Sequence, residues 1–274
     1  MSEYKITYLS LGAGIQSTAL LIMSNQGHPK VPRADVAIFA DTGDEPPWVY
    51  ENVERLKDWS DIPVEVVTAG CLSDDVIARH DGTKSRFAAI PAFTEGEDGK
   101  ATILRRQCTR EYKIAPIHKK VRKLLGYEPR QRIPAKSALC LLGISAEENA
   151  RMRPSRDRWI VNSFPLFDAR ITRDDCYPII RDAGLPVPGK SSCLYCPFHN
   201  NAFWRELKEK HPEQWERSCQ LDEAFRDMSQ SGVKQPVFLH RSLKPLREAP
   251  IGDDYPELFD PFSFRSECMG ICGT

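Results

Sequence analysis

The chain has 274 residues, with 38 Lys or Arg balancing 38 Asp or Glu, so overall charge does not make it a nucleic-acid binder. Hydrophobic residues make up 41% and charged residues 28%, the mix of an ordinary globular protein, and no apolar run approaches the roughly 20 residues that span a bilayer. The opening MSEYKITYLSLG has no basic stretch followed by a long apolar core, which predicts a cytoplasmic protein with no secretory signal.

The first half alternates strand and helix patterns. YKITYLS (4–10) reads as a strand, and IQSTALLIMSNQG (15–27) as a helix that ends on Gly27. ADVAIFAD (34–41) reads as a buried strand, PWVYENVERLKDWS (47–60) as a helix entered through Pro47, and VEVVTAG (64–70) as a third strand. This βαβαβ order predicts an α/β fold, a doubly wound and mostly parallel sheet with helices on both faces. Residues 80–104, rich in Gly and charge, read as a mobile connection or lid. REYKIAPIHKKVRKLLG (110–126) is helical, with a break predicted near Ala115 because Pro116 cannot sit inside a regular helix. SALCLLGIS (137–145) is another buried strand, and TRDDCYPIIRDAGL (172–185) a helix with Thr172 as its N-cap. Past PVPGKSS the character changes, and residues 212–232 give one good helix before a Pro-rich tail. The chain thus divides near residue 185, into an α/β domain (1–185) and a smaller, mainly helical Cys-containing region (186–274).

SLGAGIQSTALL (10–21) follows the first strand and enters the first helix. A loop there offers backbone N–H groups at the positive end of the helix dipole, which suits phosphate. Gly12 and Gly14 let the backbone approach an anion, while Ser10, Ser17 and Thr18 add hydroxyls. The spacing matches neither the Walker loop nor the dinucleotide fingerprint, so a plain structural turn is the competing reading. FADTGDEPP (39–47) places Asp41, Thr42, Gly43, Asp44 and Glu45 at the carboxyl end of the second strand, where ligands of open α/β sheets sit. Such a cluster suits a nucleotide with its Mg²⁺; a capped turn is the alternative.

Between Arg105 and Lys136 there are eleven Lys or Arg against two Glu. That run is either a solvated helix face or a surface that meets phosphates, of a nucleotide or of a polynucleotide backbone. Arg105, Arg106, Arg110 and Lys113 flank Cys108, and Arg151 and Arg153 follow AEEN; guanidinium groups of this kind grip phosphate bidentately. The chain has nine cysteines, an odd number that favours metal or redox use over disulfides in a reducing compartment. Cys193 and Cys196, spaced as CxxC, are the strongest metal-type pair, open to zinc, a redox dithiol or an iron–sulfur cluster. ECMGICGT (267–274) adds Cys268 and Cys272, whereas Cys71, Cys140, Cys176 and Cys219 read as packed thiols.

Taken together, GAGIQST, DTGDEPP, RRQCTREYKIAPI (105–117), LGISAEENARMR (142–153) and SSCLYCPF (191–198) resemble, in order, the landmarks of the PP-loop adenine nucleotide alpha hydrolases, in their phosphoadenosine phosphosulfate (PAPS) reductase-like branch. Gly12 stands where that motif has its first Ser, Ala13 replaces a Gly, and Gln16 replaces the Asp. The resemblance implies an ATP pyrophosphatase that adenylates an acceptor for sulfur incorporation, as in DNA phosphorothioation or RNA thiolation. It implies ATP and Mg²⁺ as cofactors, bound by Ser10, Gly12, Gly14, Gln16, Ser17, Thr18, Asp41, Thr42, Gly43, Arg105 and Arg106, with Asp41 and Arg106 catalytic. It further implies a 4Fe-4S cluster (zinc being the alternative) on Cys108, Cys193, Cys196 and Cys268, with Cys272 as a substitute ligand. The implied partners are an adenine nucleotide, a cysteine desulfurase or other sulfur donor, and DNA or RNA as acceptor, with no membrane and room for a homodimer. Two further readings belong to the same resemblance: a thioredoxin-dependent reductase with Cys268 as nucleophile, and a non-catalytic nucleotide-binding subunit.

Overall fold

The computed structural model describes residues 3–80, 90–104, 108–229 and 233–252. The first half follows the pattern: β1 (Ile6–Leu11), α1 (Ile15–Asn25), β2 (Val36–Asp41), α2 (Pro47–Trp59) and β3 (Val64–Thr68) succeed one another, and α3 (Leu72–His80) comes next. Two short strands, β4 (Phe93–Glu95) and β5 (Ala101–Ile103), lead to a π-helical turn (Thr109–Ile114) that runs into α4 (Ala115–Leu124). β6 (Ala138–Leu141), a 3-10 turn (Ala146–Arg151), β7 (Ile160–Ser163), α5 (Pro165–Asp168) and α6 (Arg173–Asp182) complete the α/β part. Beyond it lie α7 (Asn201–Lys210), α8 (Pro212–Ala224) and β8 (Val237–Phe238). Among the described residues no helix is long and apolar enough to cross a membrane.

The main sheet has the order β3-β2-β1-β6-β7, and every pairing in it is parallel. Side chains alternate across its two faces, as the pleat requires. Leu9 and Leu11 of β1, with Ala37 and Phe39 of β2, pack against α1, α2 and α6. Ile6 and Tyr8, with Val36 and Ile38, meet Ile117 and Val121 of α4 on the opposite face. Burial on both faces is why these strands read as nearly continuous apolar runs.

A second core joins residues from both sides of position 185. Leu72 and Val76 of α3, Ala92 and Tyr112 pack with Tyr195, Trp204 of α7 and Leu221 of α8. β4 lies between β5 and β8 in a small antiparallel sheet, again linking the two halves of the chain.

Three local outcomes follow from chain chemistry. The break expected near Ala115 takes the form of the π-helical turn: the Ala115 N–H reaches back five residues to the Arg110 carbonyl, and Pro116 enters α4 in its first turn, where a missing N–H costs little. Thr172 caps α6 with a reciprocal bond to Asp175, as predicted. The segment 80–104 is not a bare connection: its described part is the β4–β5 hairpin, turned by Gly99 at φ +71°, while 81–89 lie outside the described residues. Strands of three residues are too short to show alternation, which is why the pattern misses them. The helix predicted over 212–232 stops at Ala224, and the chain then folds back so that the Val237 amide meets the Arg226 carbonyl.

In the C-terminal region a buried histidine carries a pH signature. His240 is 2% exposed, with Nε2 3.1 Å from Asn201 Oδ1 and Nδ1 2.8 Å from Ser242 Oγ. Burial, aided by the neighbouring Arg241 charge, pushes its pKa down to about 4 from an ordinary 6.5. The unfolded chain therefore takes up this proton below pH 6.5 and the folded one only near pH 4. Its stability is full above pH 6.5 and is lost as the pH falls towards 4. In urea titrations, wild type should lose about 2 kcal/mol more than His240→Gln between neutral pH and pH 5. Equal pH slopes would remove His240 as the cause.

Candidate functional site

The order β3-β2-β1-β6-β7 means that the chain steps outward from β1 to one edge and from β6 to the other. The loops leaving β1 and β6 diverge, and ligands of open α/β sheets bind in the crevice between such loops. A cavity of about 120 Å³ occupies this place. One wall is the loop after β1, through Ser10, Gly12, Gly14, Gln16 and Ser17. The facing wall is Leu142–Ile144 after β6, and Gly189, Lys190 and Ser191 close over it.

Glycines set how closely these walls approach. A Cβ on Gly143 would lie 2.9 Å from the Ser17 nitrogen, and one on Gly14 would lie 2.4 Å from Ser191 Oγ. Gly14 is the N-cap of α1 and no side chain caps that end, so the positive end of the helix faces the crevice. Ala13, where the resembling motif has a Gly, holds φ +55°. A methyl-bearing residue in that region costs about 1 kcal/mol or more, so the loop conformation is imposed by its surroundings.

The clamp responsible is Asn52 of α2, only 1% exposed. Its Nδ2 donates to the Ala13 carbonyl at 3.0 Å and to Thr18 Oγ1 at 3.1 Å. Thr18 is thus buried in a structural bond and does not line the cavity. Sequence reasoning missed Asn52, because an Asn within a helix pattern gives no sign of a partner 39 residues away.

Among the described residues four cations line the cleft, each from a different segment: Lys113 from the π-helical turn, Arg151 from the 3-10 turn, Arg173 from the start of α6, and Lys190. Lys113 and Arg151 meet buried carboxylates. Lys113 Nζ lies 2.9 Å from Glu45 Oε1, and Arg151 pairs with Glu148. Glu148, 2% exposed, also accepts from Gln16 Nε2 at 3.2 Å and from the Ser145 amide and hydroxyl. Position 16 therefore carries a donor aimed at an acid contributed by the β6 side. Arg173 and Lys190 lay outside the sequence prediction. A cation at the first residue of a helix opposes the dipole, and that conflict was the signal at Arg173.

The DTGDE carboxylates do other work. Asp41 Oδ1 accepts from the Gly43 amide at 2.8 Å and from the Tyr50 hydroxyl at 2.9 Å. Thr42, 1% exposed, contacts Glu45 Oε1 at 3.2 Å and Cys193 Sγ at 3.3 Å. Gly43 stands at φ +79° against Cys71. Asp44, 2% exposed, receives the Ser73 amide (2.9 Å) and hydroxyl (2.7 Å), the Tyr195 hydroxyl (2.6 Å) and Arg217 Nε (3.0 Å). None of Asp41, Thr42, Gly43 and Asp44 lines the cavity.

The CxxC turn leans on this cluster, with the Leu194 amide donating to the Asp44 carbonyl at 2.9 Å and the Cys196 amide to the Cys193 carbonyl at 2.9 Å. Burial, then the Glu45 charge, pushes the Cys193 thiol well above its ordinary range, and the nearby Cys108 thiol adds to the effect. Lys113 pulls the other way. Among the described residues, no three His, Cys, Asp or Glu side chains converge to hold a metal ion. Cys268 and Cys272, together with Arg105 and Arg106, lie outside the described residues. Cys140, Cys176 and Cys219 are buried free thiols. Cys71, expected to pack in a regular element, instead precedes α3, where its thiol meets Asp44 and Arg217.

No protein-family model matches the chain, and no curated protein matches it in sequence. Among solved structures it is similar to the phosphate complex of phosphoadenylyl-sulfate (PAPS) reductase from Candida auris. The two share 15% sequence identity over 68% of this chain and 76% of that chain, with a TM-score of 0.42.

Two substitutions test the cleft walls. Asn52→Ala leaves the Ala13 carbonyl and Thr18 without their partner and should lower stability by about 1–3 kcal/mol in urea titrations. Gly14→Ala should lower stability in the same titrations, because its Cβ would lie 2.4 Å from Ser191 Oγ. Ser191→Gly added to it should restore much of that loss; no rescue would place the damage elsewhere.

Proposed function

We propose that the cleft binds the phosphates of an adenine nucleotide and that the protein is an ATP pyrophosphatase that prepares an acceptor for sulfur. The observation that supports this reading is the convergence of Lys113, Arg151, Arg173 and Lys190 on the open N-terminus of α1 at the switch point of the sheet. Lys113 and Arg151 also pair with buried Glu45 and Glu148, so the cations are held in place beside the loop. Phe39, Ala40, Ile117, Leu142 and Ile144 supply an apolar wall against which a base can pack.

In the reaction an acceptor oxygen attacks the α-phosphorus, and the bond from that phosphorus to the α–β bridging oxygen breaks. Pyrophosphate leaves with that electron pair, held by the loop N–H groups and the cations. AMP stays on the acceptor, and a sulfur nucleophile then displaces it, carrying away the former acceptor oxygen as part of AMP. The chain's contribution is positional and electrostatic: donors fixed in place where charge collects on the leaving group. We assign the acceptor to nucleic acid and the sulfur to a desulfurase-type donor protein, acting in the cytoplasm.

Neither expected inorganic cofactor has a complete protein site among the described residues. No described carboxylate lines the cleft, Glu148 is already taken by Gln16, Ser145 and Arg151, and Asp41 faces Tyr50. Mg²⁺ that accompanied the nucleotide would therefore be held chiefly by the phosphates. Cys108, Cys193 and Cys196 do not form a convergent set of three, so no step is assigned to a cluster.

Purified protein incubated with ATP, with and without candidate acceptors, should release AMP and pyrophosphate in equal amounts. Arg173→Gln should lower that rate by roughly a hundredfold, the usual effect of losing one charge-stabilising donor. Release of sulfite from PAPS in the presence of thioredoxin, without AMP formation from ATP, would replace this reading by a reductase.

A further inference from the structure

Overall neutrality hides a local concentration of charge. α4 descends from the cleft, where Lys113 and Ile117 line it, towards the amino ends of the strands, and its exposed side carries Lys119 and Lys123. Beside it runs the segment 152–159, which leads from Arg151 in the cleft to the start of β7 and exposes Arg153, Arg156 and Arg158. The two are fastened together: His118 Nδ1 lies 2.9 Å from Asp157 Oδ2, and the His118 ring meets Trp159 edge-on at 5.6 Å. At the foot of this strip the loop before β6 adds exposed Arg130, Arg132 and Lys136, joined to it by the Lys136 amide bonding the Arg158 carbonyl at 3.0 Å.

The result is a basic track about 15 Å long, the length of the ten-residue α4, that starts at the cleft. Among the described residues none of Lys119, Lys123, Arg156 and Arg158 has a carboxylate partner, and the same holds for Arg130, Arg132 and Lys136. Of the described acids near this face, Asp157 is engaged by His118 and Glu65 by Lys120 of α4, while exposed Glu128 stands among the cations of the foot. Two of the cations also sit on left-handed backbone, Arg130 at φ +70° and Lys136 at φ +54°. That conformation favours Gly or Asn, so these long charged side chains are kept there at a cost.

We infer that this track binds the sugar–phosphate backbone of a nucleic-acid duplex. A single strand would need aromatic platforms on which to stack bases. Here the two rings beside the track, Trp159 and Tyr127, are only partly exposed and already engaged, Trp159 edge-on with His118 and Tyr127 with the Lys5 ammonium 5.8 Å from its centre. A row of unpaired cations without stacking surfaces fits phosphates held at the fixed spacing of a duplex.

The test is fluorescence anisotropy of a labelled 20-base-pair DNA duplex titrated with the full chain across a range of salt concentrations. Affinity should fall with salt, and the quadruple variant Lys119→Gln/Lys123→Gln/Arg156→Gln/Arg158→Gln should flatten the log–log slope by about 3 to 4, near 0.9 per lost contact. All four positions are exposed, and thermal melting identifies any variant that has not folded. Lys210→Gln/Lys244→Gln, exposed or partly exposed cations outside the track, should bind as wild type. Salt-independent binding, an equal loss in that control, or tighter binding of the single strand would overturn the inference. So would binding of phosphatidylserine vesicles in preference to the duplex. The measurement needs no ATP, so its outcome is separate from that of the cleft chemistry.

Discussion

β1 and β6 lie side by side in the middle of a parallel sheet, and the chain leaves them in opposite directions. Their two following loops cannot cover one another, and a crevice is left at the carboxyl ends. Everything proposed for this protein depends on that constraint. It puts the N-terminus of α1 beside Gly143, and it lets Arg151 and Arg173, both downstream of β6, reach the loop that follows β1. It also lets α4, which covers the opposite face of the sheet from α1, carry a row of charge away from the same opening.

A buried carboxylate holds the remainder of the chain to this frame. Asp44 accepts from Ser73 at the start of α3, from Tyr195 inside the CxxC turn and from Arg217 on α8. An uncompensated charge at such a position would be costly, and its satisfaction by several donors ties the helical region to the end of β2. Asp44, one of the residues the sequence offers for a metal or ribose, is thus part of the joint between the two cores. Glu45 connects the joint to the cleft, since its Oε1 receives Lys113 as well as Thr42.

The missing acid at position 16 also takes on a different meaning. Gln16 donates to Glu148, and Glu148 pairs with Arg151. The carboxylate approaches from the β6 side instead of standing on α1. This arrangement holds a cleft arginine in place and keeps negative charge out of the cavity lining, which suits an anionic ligand.

Strand and helix order, the Pro116 break and the Thr172 cap were legible in the sequence, because each is set by local sterics and side-chain periodicity. The placing of the loop Gly12–Ser17 between β1 and α1 was legible for the same reason: glycines and hydroxyls before a helix are a local arrangement. The roles of Asn52, Arg173 and Lys190, the inward turn of Thr18, and the engagement of Asp44 with Arg217 173 residues away were not. Each depends on a partner remote in the chain, brought close only when the strands take their order. Sequence determined which segments could hold phosphate or thiol chemistry; tertiary structure decided which side chains face the cleft and which hold the molecule together, because a hydrogen bond or an ion pair exists only where distance allows it.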